Sequence, residues 1–254
     1  MIQALDLHSH QFPETHLALN DPPGLLASGG DLSPFRLVQA YLKGIFPWYS
    51  QGTPILWWSP PERAIITPEH LHQSRSLRKT LASTRFQTQH RFSFNEAFSD
   101  VIHQCAGPRQ HETGTWITPD MILAYENLHQ LGIAHSIELW QKPKDQRVEQ
   151  LVGGLYGICL GPFFFGESMF SRTPSASKFV LVHLVETLSK QGLAFLDCQM
   201  MTDHLESMGA MEINRETFQE QLTHVFQDQL NASPLTLQNF SDHNLIRQSC
   251  INRR

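Results

Sequence analysis

The chain has 254 residues, 41% of them hydrophobic, enough to bury the core of one large domain or of a full domain with a small companion. A net charge of −5 excludes a protein that coats nucleic acid over its whole surface, because such binding is driven by phosphate neutralisation; a local basic patch remains compatible with it. The opening residues, MIQALDLHSHQFPETH, contain no long apolar stretch, and no run of eighteen apolar residues follows, so a cytoplasmic protein is expected. Cys105, Cys159, Cys198 and Cys250 are widely spaced and form no C-x-x-C pair, which favours reduced thiols. The close pairs His8/His10 and His70/His72 lack Cys or carboxylate partners at ligand spacing. No metal and no cofactor are therefore expected.

In chain order, the first 61 residues are punctuated by Pro and Gly, including Pro22, Pro23, Gly24, Gly29, Gly30, Pro34 and Gly44, and read as a small, turn-rich N-terminal domain. Ser33 before Pro34 predicts a helix start, with the helix running to about Leu42 and stopping at Gly44. Residues 55–58, Ile-Leu-Trp-Trp, read as a buried strand. From residue 62 to 254 a larger domain is expected, with helices near 73–83, 94–105 and 119–131. Strands follow at 134–140, 151–160 and 163–165, with a polar turn over 142–150. A helix over 176–191 ending at Gly192, a strand over 193–200 and a short helix over 203–208 complete the pattern. Antiparallel strands, a helix and then another strand point to an α+β fold with a mixed sheet.

Three places carry chemistry. Between His70 and Asn95 the charged residues are Arg75, Arg78, Lys79, Arg85 and Arg91, with no Asp or Glu, so a polyanion can be steered to one face of an acidic protein; a solvated helix face with a basic loop gives the same pattern. In LAFLDCQM, period-two alternation puts Phe195, Asp197 and Gln199 on one face of a strand. A carboxylate there either satisfies backbone donors of the following turn or faces a pocket beside the amide. Glu167 and Ser168 emerge in the same way from the apolar, glycine-rich stretch 153–170, which reads as a tight hairpin or as a place of close ligand approach. The aromatic segments FPWY, WW and GTWIT add surface for an apolar side chain or a nucleobase. No G-x-S-x-G, Walker A, G-x-G-x-x-G or H-E-x-x-H pattern is present, so covalent catalysis is not indicated.

The blocks GLLASGGDLSPFRLVQAYLKGIFPWYS, PILWWSPPERAI, SRSLRKTL, GTWIT, LGIAHSIELW, LVGGLYG, FFGESMFSR, ASK and LDCQ, in this order over residues 22–213, resemble the leucyl/phenylalanyl-tRNA–protein transferase family. The chain departs from the family pattern at Pro22-Pro23-Gly24, where relatives have Pro-Asn-Gly, and in a longer tail after about Leu222. The resemblance implies a small N-terminal domain (1–61) and an acyltransferase domain of GNAT-like fold, a mixed sheet flanked by helices (62–254). It implies transfer of Leu or Phe, and less efficiently Met, from aminoacyl-tRNA to proteins with N-terminal Arg or Lys, which marks them for the N-degron pathway of protein degradation. By the same resemblance Asp197 and Gln199 stand at the reaction centre. Trp116, Leu155, Phe164, Glu167, Ser168 and Met169 line the amino-acid site, Tyr41 and Trp48 sit near the 3′ adenosine, and Arg75, Arg78 and Lys79 meet the acceptor stem. Leu155 and Leu184 stand where relatives can have Met and Phe.

The implied reaction is aminolysis of an ester by an α-amine, whose pKa near 7.7–8.0 leaves part of it neutral at cytoplasmic pH. Asp197 is expected to orient the amine and accept or relay its proton, directly or through Gln199, with positioning supplying most of the acceleration. A monomer acting on aminoacyl-tRNA and protein N-termini, away from membranes, is the resulting expectation. Two other readings are an acyl-CoA-dependent N-acyltransferase, for which the segment from Arg172 to Lys178 is a poor pyrophosphate loop, and a non-catalytic RNA-binding module.

Overall fold

The computed structural model describes residues 2–7, 9–107, 115–142 and 148–247. Gly114 of the GTWIT block, most of the polar turn over 142–150, His8 and Cys250 lie outside them. The N-terminal segment forms β1 (Gln3–Leu5), β2 (Leu25–Gly29), α1 (Pro34–Leu42), β3 (Phe46–Pro47) and β4 (Leu56–Trp58). Its four strands make one sheet in the order β1-β2-β4-β3. As expected, Ser33 caps α1 by accepting from the Arg36 amide, and Pro34 opens the helix. Trp57 is fully buried, and its indole donates to the Gly29 carbonyl at 2.9 Å, so the aromatic strand locks β4 to β2.

The rest of the chain runs through β5 (Glu62–Ile66), α2 (Arg75–Leu81), α3 (Thr84–Gln89), β6 (His90–Phe94), α4 (Phe98–Ala106), α5 (Pro119–Gln130), β7 (Ala134–Gln141), β8 (Gln150–Leu160) and β9 (Phe163–Ser171). It continues with α6 (Ala176–Ser189), β10 (Phe195–Gln199), α7 (Asp203–Glu206), β11 (Met211–Asn214), α8 (Arg215–Ala232) and α9 (Asn244–Arg247). Seven strands form a mixed sheet in the order β11-β5-β10-β9-β8-β7-β6. The fold class is α+β, as the element pattern implied. Along β9 the side chains alternate strictly at first: Phe163 and Phe165 enter one core with Tyr41, Tyr125, Phe195 and Phe218, while Phe164 enters the other with Leu155, Leu181 and Leu196. Helix α6 covers the second face of the sheet, and α4, α5 and the N-terminal segment cover the first.

Several boundaries depart from the sequence pattern for local reasons. The helix expected over 73–83 forms as Arg75–Leu81, and Ser83 then caps a separate helix, Thr84–Gln89, by accepting from the Phe86 amide. The helix expected over 94–105 begins only at Phe98, since residues 90–94 pair with β7 as an edge strand. The strand expected over 163–165 runs on to Ser171 through its polar residues, held by β8 across the hairpin. Cys105 and Cys198 are free thiols, as expected, whereas Cys159 takes part in a disulfide, contrary to that expectation. Part of the tail is ordered onto the core: Phe240 packs edge-on against Phe35 with centroids 5.7 Å apart, and Leu245 is fully buried.

Candidate active site

The site begins where two neighbouring strands part. β10 runs parallel to β9, and the two pair over Phe195↔Phe163, Leu196↔Phe164 and Asp197↔Phe165, after which the pairing stops. Each strand carries a bulge at this point. In β9, Glu167 is the extra residue between Gly166, opposite Gly157, and Ser168, opposite Tyr156. Gly157 permits the bulge, because a Cβ there would lie 2.2 Å from the Phe165 carbonyl oxygen. In β10, Cys198 is the extra residue between Asp197, opposite Ile65, and Gln199, opposite Ala64. Gln199 takes a left-handed backbone with φ of 64°, an uncommon conformation for a residue other than glycine. Because both bulges break the period-two alternation, Asp197 and Gln199 do not relate as simple same-face neighbours on a regular strand.

A network of buried polar groups fixes these residues. The Tyr41 hydroxyl donates to Glu167 Oε1 at 2.6 Å, the Tyr125 hydroxyl donates to Oε2 at 2.8 Å, and the two hydroxyls are 2.5 Å apart. Gln199 Nε2 donates to Glu167 Oε1 at 3.1 Å. Burial pushes the Glu167 carboxyl up to about 7, against the two tyrosine hydroxyls, which favour its ionised form; the nearby Asp197 carboxylate pushes it further up. Both tyrosines are held well above their ordinary value by burial and by the adjacent Glu167 charge, so they stay protonated donors. Three short oxygen–oxygen contacts share two hydroxyl protons, and a third proton on the carboxyl completes the ring. The readiness of the carboxyl to take that proton comes from its burial and the nearby Asp197, with the two hydroxyls working against it.

Asp197 has a different environment from that of Glu167. Arg63 grips it with two hydrogen bonds, Nε to Oδ1 at 2.9 Å and Nη2 to Oδ2 at 2.7 Å, and Oδ1 also accepts from the Gln199 amide at 2.9 Å. The pair is almost completely buried, with side-chain exposures of 2% for Arg63 and 0% for Asp197. Arg63 further donates to the Gly44 carbonyl at 3.0 Å and lies 4.7 Å from the ring centres of Phe46 and Phe218. Both uses foreseen for the carboxylate thus occur together: it satisfies a backbone donor in the following turn, and it adjoins the amide at a pocket. Its charge, however, is directed at Arg63. Sequence reasoning missed Arg63, whose only signal was a lone cation at the head of the apolar run Ala64-Ile-Ile66. It also read Tyr125 only as part of an apolar helix stripe.

The parted strands open into a cavity of about 1200 Å³. Its walls include Trp48, Trp58 and Trp116, of which Trp58 and Trp116 pack on the first core, and Leu155, Met169, Leu181 and Leu196, which belong to or pack on the second. Glu167 and Gln199 lie on the wall with them. Trp58 donates from its indole to the Trp48 carbonyl at 2.7 Å and tilts against its ring at 5.5 Å, so the aromatic wall is fixed from within. Of the expected residues, Trp48, Trp116, Leu155, Glu167, Ser168, Met169, Asp197 and Gln199 all line this one cavity. Phe164 lies behind the wall at 1% exposure, and Tyr41, fully buried, reaches the site through its hydroxyl on Glu167. Leu184 is a buried residue of α6. Arg75, Arg78 and Lys79 are exposed on α2, outside the cavity wall. No group of His, Cys, Asp and Glu with metal-binding geometry occurs among the described residues, and none of their helices is long and apolar enough to cross a membrane.

Comparison with known proteins places the chain. Residues 65–223 match the model of the leucyl/phenylalanyl-tRNA protein transferase, and residues 30–61 match the model of that enzyme's N-terminal domain. A leucyl/phenylalanyl-tRNA–protein transferase of Azotobacter vinelandii is 52% identical over 224 residues, covering 88% of this chain and 95% of the relative. One from Cellvibrio japonicus is 50% identical over 235 residues, covering 92% and 95%, and one from Nitrosomonas eutropha is 53% identical over 211 residues, covering 83% and 86%. Among solved structures, FemX aligns with a TM-score of 0.46 and 9% identity over 70% of this chain and 66% of that one. With two adjoining family models matched along the chain, and half of the residues shared with near full-length relatives, this protein belongs to the leucyl/phenylalanyl-tRNA–protein transferase family.

Proposed function

We propose that the protein transfers Leu or Phe, and less efficiently Met, from aminoacyl-tRNA to the α-amine of proteins that begin with Arg or Lys. Family membership supports the reaction, and one observation carries its geometry. The cavity between β9 and β10 joins an aromatic wall to an aliphatic wall, with Glu167 and Gln199 where the strands part. The aliphatic residues suit the side chain of Leu or Phe, the tryptophans suit a nucleobase, and an ester spanning the two would put its carbonyl beside Glu167 and Gln199. Arg75, Arg78 and Lys79 offer exposed cations for tRNA phosphates. The sheet with its parting parallel strands and flanking helices supports a GNAT-like acyltransferase fold, and a cytoplasmic monomer fits a protein that meets tRNA and protein N-termini.

In the reaction the α-amine attacks the ester carbonyl, an amide bond forms, and the 3′ hydroxyl of the tRNA leaves with a proton. Glu167 is the better proton acceptor of the two carboxylates. Its value near 7, set mainly by burial, matches the amine. Asp197 acts at one remove: with Arg63 it holds the left-handed turn at Gln199, which presents its amide to Glu167 and to the reacting groups. The deciding experiment offers labelled Phe-tRNA, Leu-tRNA or acetyl-CoA together with an Arg-initiated peptide. Incorporation from the aminoacyl-tRNAs is expected, and incorporation from acetyl-CoA alone would replace this reading with an acyl-CoA-dependent one.

A further inference from the structure

The edge of β9 beyond Phe165 is a strand edge inside the molecule. β8 pairs with β9 along its whole length to Ser171, while β10 stops pairing at Phe165 and ends at Gln199. Gly166, Glu167 and Met169 on this stretch line the cavity, facing Gln199 and Met200 across it. An open strand edge is a template for another extended chain. We infer that the first residues of the acceptor polypeptide bind here as an added strand, parallel to β9, held by main-chain hydrogen bonds along Glu167 to Phe170. This rests on the proposed transfer to an N-terminal amine.

Direction, charge and space agree on the arrangement. β9 and β10 both run outward from the buried ends at Phe163 and Phe195, both 1% exposed, toward the parted mouth. A chain that enters amine first therefore runs the same way as β9. Its α-ammonium comes to rest beside the Glu167 carboxyl, the sign of charge that favours it, and its later residues leave through the mouth. At Gly166 a Cβ would lie 3.3 Å from the Asp197 carbonyl oxygen and 3.5 Å from Leu196 Cδ1, so β10 still lies close at this residue and the strands separate only beyond it. The half-exposed Met200 gives the mouth an apolar lip.

Strand pairing has a period of two, and this makes it separable from recognition of the first side chain. The test uses the intact protein, Phe-tRNA and a set of Arg-initiated peptides of one sequence, N-methylated singly at residue 2, 3 or 4. Methylation at positions whose amide faces β9 should lower kcat/KM about tenfold, mainly through KM, while methylation at the intervening position should change it less than about twofold. Equal values for all the peptides, or an equal loss at every position, would overturn the inference. No transfer to the unmethylated parent would overturn both this inference and the proposed reaction.

Discussion

Replacing Asp197 with Asn removes one negative charge from the most buried ion pair among the described residues while hardly changing its shape. Arg63, 2% exposed, keeps the Gly44 carbonyl and the faces of Phe46 and Phe218, but one of its two grips on residue 197 then meets an amide NH2 instead of an accepting oxygen. Breaking a buried pair by removing one partner costs about 3–5 kcal/mol. The remaining carbonyl and aromatic contacts place this substitution near the lower end, about 3 kcal/mol, which for a chain of this size lowers Tm by roughly 6–12 °C. Because Asp197 faces Arg63 and tethers Gln199, the transfer rate per folded molecule should fall by about tenfold, short of the 10²–10⁴-fold commonly lost with a positioned proton acceptor. Thermal melting and single-turnover transfer at saturating aminoacyl-tRNA, measured on the same preparation, separate the two effects. A variant that melts within about 2 °C of the parent yet transfers more than about 100-fold more slowly would refute the assignment, placing Asp197 on the substrate rather than behind Gln199.

Glu167→Gln should lower single-turnover transfer by about 10² or more and remove the rise in rate as the pH passes through about 7, measured across pH 5.5–8.5 with an acceptor of fixed amine pKa. The same carboxyl makes a stability prediction. Its folded value, raised from 4.5 to about 7, means the folded state binds the proton more tightly than the unfolded chain, so stability falls as pH rises through that interval and changes no further above it; equilibrium unfolding should show that this component is missing in Glu167→Gln. Trp116→Ala, which strips roughly 25 cal/mol per Å² of apolar contact from the cavity wall, should raise KM for Phe-tRNA about tenfold with a much smaller change in Tm; undiminished transfer by the folded variant would make Trp116 structural. Replacing Arg75, Arg78 and Lys79 together with Ala should weaken tRNA binding and reduce its salt slope by about one per lost phosphate contact, read by titration at several ionic strengths.

The sequence was most legible where one physical signal dominated. Ser33 and Pro34 mark a helix start by chemistry alone, and the helix begins there. The near-continuous apolar run of 151–160 leads to a strand because both faces of that segment are buried. Glu167 and Asp197 stood out because charge in an apolar strand must be compensated, and both are. What could not be read was the compensation itself. Arg63 reaches Asp197 across 134 residues of chain and Tyr41 reaches Glu167 across 126, separations over which no local pattern operates. The two bulges were equally hidden, since an extra residue such as Cys198 changes pairing without changing composition. β6 went unread because an edge strand takes its identity from the neighbour it pairs with.

The hydroxyl triangle has a consequence for how activity arises during folding. Tyr41 comes from α1, the helix of the N-terminal segment, whereas Tyr125 comes from α5 and Glu167 from β9 of the large sheet. Neither part of the chain contains all three side chains, so seating α1 against the sheet and assembling the hydrogen-bonded ring are one event. A chain whose N-terminal segment has come loose keeps Glu167 but loses one of its two phenolic donors, and the carboxyl's affinity for a proton changes with it. Catalysis in such a molecule would be set by a docking equilibrium: a clip or substitution in the N-terminal segment that loosens α1 would register as a shifted pH profile before it registered as unfolding.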